Sequence, residues 1–245
     1  MNDSRIHPRE EQIAELTRGH AIPFPPLLDV HLTYIAQVLA RAWEDLLRRN
    51  RSTLLSGGET EVTALMESRL NALLDEDKIW SQLARNVTRG TETISYDGSH
   101  LEKRPDLSVH LTNRSPSFPL IVECKLIDAP SMKTAELYCA HGLARFVNGE
   151  YAWTSREAFM LAYVRDGATI LSCLSPFLAK SCARGRPGSY LTRSLPKLTH
   201  KASGAELARS HHNRKFRYIG RANQGKPGAI VIWHLWLLCS ITRRK

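Results

Sequence analysis

The sequence lacks several features that mark common classes of protein. None of its five cysteines belongs to a CxxC pair, and the chain contains no Gly-rich phosphate loop, GxSxG elbow, HExxH motif or internal repeat. The missing CxxC pairs argue against a zinc ribbon or a thioredoxin-type redox protein. The other missing motifs argue against an NTPase, a serine hydrolase or a zincin.

Long apolar segments are also missing. The opening sequence MNDSRIHPREEQ has no apolar region of the kind found in signal peptides. The longest apolar run, AIVIWHLWLLC at 229–239, is shorter than the roughly 18 residues that a membrane-spanning helix needs. An odd, scattered set of cysteines is typical of reduced thiols. We therefore expect a soluble, cytoplasmic protein without a membrane partner.

Acidic residues are outnumbered by basic ones, and the imbalance is local. The net charge is +10, and the segment 180–226 contains twelve Lys or Arg residues but one acid, Glu206. Such a bias favours a polyanionic partner, either nucleic acid or an acidic membrane surface. A solvated, flexible loop is the simpler explanation, and the two are compatible. We predict a basic C-terminal lobe at about 180–226.

Hydrophobic periodicity predicts an α/β protein. Apolar residues recur at helical spacing over 27–50 and 59–76, on either side of the break at Gly57 and Gly58. A further helix is predicted from about 132 to 147. Strand patterns cover 104–111, 119–127, 158–164 and 229–237. With 42% hydrophobic residues, the 245-residue chain is long enough for one domain with an appended lobe.

The segment PLIVECKLID at 119–128 carries two opposite charges inside a predicted buried strand. Glu123 and Lys125 share one face of this strand, and Cys124 points to the other. If the chain turns back through NRSPSF, Asp106 on the preceding strand lies beside Glu123. An unpaired buried charge costs several kcal/mol, so these groups need a partner such as a side chain, a metal ion or a ligand.

Two carboxylates beside an ammonium suit phosphodiester hydrolysis. Carboxylate oxygens hold Mg²⁺ or Mn²⁺, which activates water and neutralises charge on the phosphate oxygens. The ammonium of Lys125 then orients the nucleophile or stabilises the transition state. The alternative is a structural salt bridge at the edge of a hairpin.

The same residues carry a resemblance to a known family. Pro105-Asp106, sixteen intervening residues and Glu123-Cys124-Lys125 resemble the motif of the PD-(D/E)xK nuclease superfamily. The resemblance covers roughly 57–165, and the predicted order of elements is similar. It implies a restriction-endonuclease-like mixed central sheet flanked by helices. An ExK triplet alone is weak, because Glu76-Asp77-Lys78 has the same spacing at the end of a helix.

The resemblance also implies the domain limits and the site residues. It implies an N-terminal helical extension at 1–56 and a nuclease-like domain at 57–245 that includes the basic lobe. The expected catalytic residues are Asp106, Glu123, Lys125 and Glu59, and the expected metal site comprises Asp106, Glu123 and Cys124. Glu59 is preferred to Glu61 because it lies about 50° from the centre of the apolar helix stripe, against about 110°. A favourable interaction of Glu59 with the helix dipole is the competing explanation.

Five basic residues are predicted to bind nucleic acid. Arg145 lies on the helix that follows the motif, although a solvated helix face is the more usual explanation for such a residue. The others belong to SHHNRKFRYIG at 210–220, where adjacent histidines point apart on a strand and therefore suit phosphate better than a metal. These residues are His212, Arg214, Lys215 and Arg217.

The sequence therefore predicts a Mg²⁺- or Mn²⁺-dependent nuclease that acts on DNA. Members of the superfamily serve in restriction, phage defence and mobile-element maintenance. Two alternatives stay open: a non-catalytic nucleic-acid-binding subunit of a larger complex, and an RNA-directed nuclease of the same fold. Assembly as a homodimer, or with a protein partner in a multi-subunit system, is compatible with each of them.

Overall fold

One mixed β-sheet organises the molecule. The computed structural model describes residues 8–98, 103–182, 190–202, 204–218 and 226–239, and in these ranges the sheet has seven strands flanked by helices. This confirms the predicted α/β class. The strands are β1 (Ala84–Thr88), β2 (Leu107–Leu111), β3 (Leu120–Ile127), β4 (Glu157–Val164), β5 (Thr192–Ala202), β6 (Ala205–His212) and β7 (Ile230–Leu238).

The sheet is parallel at its centre and antiparallel at both edges. The strand order is β1-β2-β3-β4-β7-β6-β5, with β4 parallel to both β3 and β7. β1 and β2 form one antiparallel edge with β3, and the β5–β6 hairpin forms the other edge with β7. The central strands are buried on both faces, which explains their nearly continuous apolar sequences.

Helices cover both faces of the sheet. In chain order they are α1 (Pro8–Leu16), α2 (Asp29–Arg49), α3 (Arg51–Ser56), α4 (Glu59–Glu76), α5 (Lys78–Leu83), α6 (Ala135–Tyr138), α7 (Ala144–Asn148) and α8 (Ser175–Cys182). A π-helical turn, Cys139–Leu143, joins α6 to α7, and a second one, Ile170–Leu174, leads into α8. A 3₁₀ turn, Ala129–Ser131, follows β3. Among the described residues, no helix has the length and apolar character needed to cross a membrane.

Helices α2 to α5 form a structural layer on one face. Buried residues of α2, α4 and α5 pack together against alternate residues of the central strands. Trp43 of α2 stacks on Tyr163 of β4, with ring centroids 5.1 Å apart. The Trp43 indole N–H also donates to the carbonyl of Leu238 at 2.9 Å. Residues 27–54 of the predicted extension thus share a core with the sheet, whereas Ile13 of α1 packs in a separate cluster with Phe118 and Trp153.

The helix α6–α7 approaches the opposite face closely at its π-helical turn. A Cβ on Gly142 would lie 2.4 Å from Met160 Cε and 3.6 Å from Glu123 Cγ, so only a glycine fits there without displacing a neighbour. The helix ends at Gly149, which has φ +82° in the left-handed region that glycine adopts easily. The sequence predicted this end correctly.

The described part of the predicted basic lobe extends the sheet. Residues 192–202 and 205–212 form the β5–β6 hairpin beside β7. The sequence did not predict β1, β5 or β6. It predicted a strand-like segment at 210–220, but β6 ends at His212, so most of that segment lies beyond the strand. Residues 183–189, 203 and 219–225 of this lobe lie outside the described residues.

Candidate active site

The site forms where β2 separates from β3. β2 pairs with β3 only as far as Val122, so the next outward-facing N–H groups of β3 have no strand partner. Two carboxylates accept hydrogen bonds from these N–H groups in place of a strand. Cys124 N donates to Asp106 Oδ2 at 2.8 Å, and Leu126 N donates to Glu59 Oε2 at 2.9 Å. The main chain of β3 therefore fixes both acids at the edge of the strand.

The ammonium of Lys125 lies among three carboxylates. Its Nζ is 3.2 Å from Glu59 Oε1, 3.2 Å from Asp106 Oδ2 and 2.8 Å from Glu123 Oε1. Burial alone would lower the pKa of this ammonium, but the three carboxylates raise it well above its usual range. Lys125 therefore carries a positive charge throughout the physiological pH range. The four residues that the sequence predicted to be catalytic are in one cluster.

Glu123 is the fully buried acid of this cluster. Its Oε1 accepts from Arg145 Nη1 at 3.0 Å in addition to its contact with Lys125, and its exposed fraction is 0%. Its Oε2 is buried and has no hydrogen-bond partner among the described residues. Burial, and secondarily the charge of Asp106, raise the pKa of Glu123 to about 7, although both neighbouring cations act to lower it. The two neighbouring cations therefore do not fully offset the cost of burying the negative charge of Glu123.

The donor set fits a hard divalent cation. The three carboxylates face two cations, Lys125 and Arg145, so ionisation of all three leaves a negative charge without a counterion. Carboxylate oxygens are the ligands that Mg²⁺ and Mn²⁺ prefer, and Glu123 Oε2, which no described residue bonds, is available to bind one. In the described parts of the chain, no three His, Cys, Asp or Glu residues already surround a common metal position. Here the carboxylates point at Lys125 instead.

No protein-family model, curated protein or solved structure matches the chain. The function of the cluster must therefore be argued from its own geometry.

Cys124 was predicted as a metal ligand, and the structure divides its atoms between two environments. Its side chain is fully buried in the core on the opposite face of the sheet, and this burial raises the pKa of the thiol well above its usual value. Its carbonyl oxygen, in contrast, accepts from Lys125 Nζ at 2.6 Å. Only the backbone of Cys124 lies at the site.

Arg145 belongs to the cluster and is held there by a residue that sequence reasoning missed. Its Nη1 donates to the hydroxyl of Tyr151 at 2.7 Å, and its guanidinium lies over the Tyr151 ring at 5.3 Å. Burial of Tyr151 and the nearby Glu123 raise the pKa of its phenol, which therefore stays neutral. The side chain of Arg145 remains 30% exposed, so part of the guanidinium faces solvent beside the carboxylates. No sequence pattern marks Tyr151, which follows the helix in a turn.

His212 does not contact phosphate, contrary to the prediction. Its side chain is fully buried, and its Nδ1 donates to the carbonyl of Tyr190 at 2.9 Å. Its Nε2 lies 2.7 Å from the hydroxyl of Ser210. Burial lowers the pKa of His212 to about 4, so the ring is neutral at physiological pH. We correct the assignment because a buried neutral imidazole cannot reach a phosphate.

Arg214 is likewise a structural residue. It donates to the carbonyls of Ala152 and Trp153 at 3.2 and 3.0 Å, and also to the carbonyl of Ser155. Burial lowers the pKa of its guanidinium to about 10. The sequence pattern suggested an exposed cation, but these three carbonyls occupy the guanidinium. The predicted phosphate contact of Arg214 is therefore corrected.

Lys215 and Arg217 are exposed, as a phosphate-binding role requires. Both line an open cavity of about 550 Å³. Three further cations contribute to its wall: Arg193, Lys226 and Arg214, whose guanidinium is bound to the three carbonyls. Lys215 N donates to the carbonyl of Val147 at 3.0 Å, which joins this basic surface to the helix that carries Arg145.

Proposed function

We propose that this protein is a metal-dependent nuclease that hydrolyses phosphodiester bonds in DNA, with a fold of the restriction-endonuclease type. One observation carries the proposal: Glu123 Oε2 is buried and has no partner within the described part of the chain, beside Asp106 and Lys125. A carboxylate oxygen buried in this way is costly unless a ligand uses it. Glu157, which pairs with Arg114, also has a buried Oε2 with no partner among the described residues, so what distinguishes Glu123 is its place beside Asp106 and Lys125.

Asp106 and Glu123 are the residues that would hold Mg²⁺ or Mn²⁺, with the carbonyl of Cys124 next to them. Such an ion supplies positive charge to the phosphate oxygens and makes water a stronger nucleophile. Glu59 has a different task, because its two oxygens contact Lys125 and the main chain of β3. It keeps the ammonium in position.

Lys125 and Arg145 act on the phosphate side of the reaction. Lys125 stays protonated, so it can orient a water molecule or stabilise the negative charge that develops on phosphorus-bound oxygens. The partly exposed guanidinium of Arg145 can donate two N–H groups to a phosphate, a geometry that favours arginine over lysine. Both cations are held in place by carboxylates before the substrate binds.

The charge of the chain supports a nucleic-acid substrate. Its net charge is +10, and the exposed cations Lys215 and Arg217 lie on a basic cavity. Contacts of this kind supply affinity for phosphates without selecting a sequence. We propose DNA as the substrate, and the cleavage assay also includes RNA because these cations do not distinguish the two.

A cleavage assay tests the proposal. The purified protein is incubated with supercoiled, linear and single-stranded DNA and with RNA, in Mg²⁺, Mn²⁺ or EDTA. We expect cleavage of DNA with either metal and none in EDTA. Glu123→Gln and Lys125→Met should each lower the rate by about a hundredfold or more.

The chain offers a matched control for this assay. Lys78 belongs to the other ExK triplet, but it is exposed, and the acids before it have structural partners: Glu76 pairs with Arg69, and Asp77 caps α5. Lys78→Ala should therefore cleave like the parent. Full activity of Glu123→Gln would refute the proposed site, and binding of DNA without cleavage under any metal would favour the binding subunit.

A further inference from the structure

A cavity of about 470 Å³ lies beside the candidate active site, on the same face of the sheet. The pairing register of β2 and β3 fixes the position of this cavity relative to the carboxylates. Ser108 of β2 pairs with Ile121 of β3, and both residues line the cavity. Ser108 comes two positions after Asp106 in the chain and Ile121 two positions before Glu123, and each step corresponds to about 7 Å in the same direction because the strands are antiparallel. The floor of the cavity therefore begins one side-chain row away from the carboxylates.

Aromatic side chains form a wall of this cavity. Phe118 and Trp153 line it with their rings nearly perpendicular, at an interplanar angle of 88° and a centroid distance of 6.3 Å. The Trp153 indole N–H donates to the carbonyl of Ile94 at 2.8 Å, which fixes the ring. Rigid aromatic walls of this kind favour a planar, weakly polar ligand.

The floor of the cavity carries a hydroxyl with no partner. Ser108 is 0% exposed, and its Oγ has no hydrogen-bond partner among the residues that the structure describes. A buried hydroxyl normally finds a partner, so an unpaired one next to a cavity indicates a ligand with a polar edge. His110, two positions further along β2, also lines the cavity, and its ring Nε2 lies 3.1 Å from Thr88 Oγ1. The cavity thus combines an apolar wall with a few polar groups.

The charges around the cavity do not suit a phosphate. None of the described residues that line it is Lys or Arg, whereas Glu92 and Glu150 are among them. Each of these acids pairs with a cation outside the lining: Glu92 with Arg104 at 2.6 Å, and Glu150 with Lys103 at 2.9 Å. A neutral ring fits such a site, whereas an anion would face two carboxylates.

We propose that this cavity receives a nucleobase of the strand that is cut, turned out of the base stack next to the scissile phosphate. The inference rests on the proposed function, because a phosphate at Asp106 and Glu123 brings the neighbouring base to the row of Ser108 and Ile121. The 7 Å step along the strands is comparable with the spacing of nucleotides in an extended single strand. Aromatic stacking tolerates any base, and the Ser108 hydroxyl adds one edge contact.

Binding without cleavage tests the inference. Two single-stranded oligonucleotides of equal length are used in EDTA, one of deoxyadenosine and one with abasic residues throughout, so that their phosphates match. Fluorescence anisotropy should show about tenfold tighter binding of the first, since a stacked base contributes measurable affinity. Ser117 is exposed and lines the cavity, so Ser117→Trp fills it and should remove the difference.

Two further variants separate the hydroxyl from general effects. Ser108→Ala should weaken binding of the deoxyadenosine strand by about fivefold, as expected for one lost hydrogen bond. Ser175 Oγ is also buried and unpartnered among the described residues but lies in α8, outside the cavity lining, so Ser175→Ala should change nothing. Melting curves of all three variants establish that they are folded.

The outcomes distinguish this inference from the proposed function. Equal binding of the two strands by the parent protein, or a difference that survives Ser117→Trp, overturns the base-binding cavity. If Mg²⁺-dependent cleavage is still observed, the nuclease proposal stands without it. If the protein neither binds the strands nor cleaves DNA, both proposals fall.

Discussion

Replacement of Glu123 by glutamine separates a catalytic carboxylate from a structural one. Glutamine keeps the size of the side chain and removes its charge. Lys125 does not lose all its counterions in this variant, because Glu59 and Asp106 each remain 3.2 Å from its Nζ. The amide can still accept from Arg145, and its NH₂ group occupies the position where Oε2 has no partner. We therefore expect Glu123→Gln to fold.

The pKa of Glu123 gives the size and the sign of the effect on stability. Burial raises this pKa from 4.5 to about 7 in the folded protein, so folding favours the protonated carboxyl. Its contribution to stability is complete below pH 4.5 and is lost as the pH rises to 7. At 1.36 kcal/mol per pKa unit, the loss is about 3 kcal/mol. Because glutamine does not ionise, the metal-free variant should be more stable than the parent by about this amount at pH 8, and by less than about 1 kcal/mol at pH 5.

Urea unfolding in EDTA at pH 5 and pH 8 measures this difference. Asp45→Asn is the matched control of opposite sign. Burial of Asp45 acts to raise its pKa, but its bonds to Arg69 and Arg48 outweigh this and lower it. Arg69 Nε donates to Asp45 Oδ2 at 2.8 Å. Loss of this anion should therefore destabilise the protein at pH 8.

Addition of Mg²⁺ completes the test. The parent should gain thermal stability from a cation that binds only the folded state, whereas Glu123→Gln should not. If Glu123→Gln is less stable than the parent at pH 8 and Mg²⁺ does not shift the melting temperature of the parent, the cluster is a structural ion network. The nuclease proposal would then lose its main support.

The basic surface, the buried arginine and the π-helical turn give three further expectations. Alanine at Lys215 and Arg217 should leave the melting temperature unchanged and reduce the log–log salt slope of duplex binding by about 0.9 per lost phosphate contact; an unchanged slope would mean that DNA lies elsewhere. Arg214→Ala should lower the unfolding free energy by roughly 2–4 kcal/mol, measured in urea, because three carbonyls lose their donor; a stable variant with a lower salt slope would restore its phosphate role. Gly142→Val should destabilise by about 1–3 kcal/mol through the clash with Met160, and equal stability would show that the turn can move away from the sheet.

Local periodicity predicted the centre of the site. A period of two fixes Glu123 and Lys125 on one face, and a short turn between neighbouring strands brings Asp106 beside them, so one hairpin suffices. Glu59 was predicted from its angle on α4, and its carboxylate reaches Lys125 and the N–H of Leu126. The contacts of Asp106, Glu123 and Lys125 lie within one hairpin, whereas Glu59 lies 66 positions before Lys125 and was predicted only from its place on the helix.

The residues that the sequence misassigned depend on distant packing. His212 and Arg214 lie in a stretch rich in basic residues, but their burial results from elements that are far away in the chain. The three carbonyls that bind Arg214 belong to 152–155, about sixty positions earlier. β5 and β6 were missed because they contain many polar residues, so apolar and polar residues do not alternate clearly along them. Their place in the sheet depends on pairing of β6 with β7, which is distant from β5 in the chain. No local pattern contains that information.

The three acids of the cluster have unequal freedom to change. Asp106 and Glu59 accept main-chain N–H groups that would otherwise form an open strand edge, so they serve the fold whether or not the protein is catalytic. Asparagine and glutamine could serve as well in that respect. Glu123 bonds only side chains among the described residues, and its second oxygen bonds nothing. If the proposed hydrolysis is the function, a descendant that lost it would be expected to retain polar residues at positions 59 and 106 and to vary at position 123, so residue 123 would be the informative one for recognising active relatives.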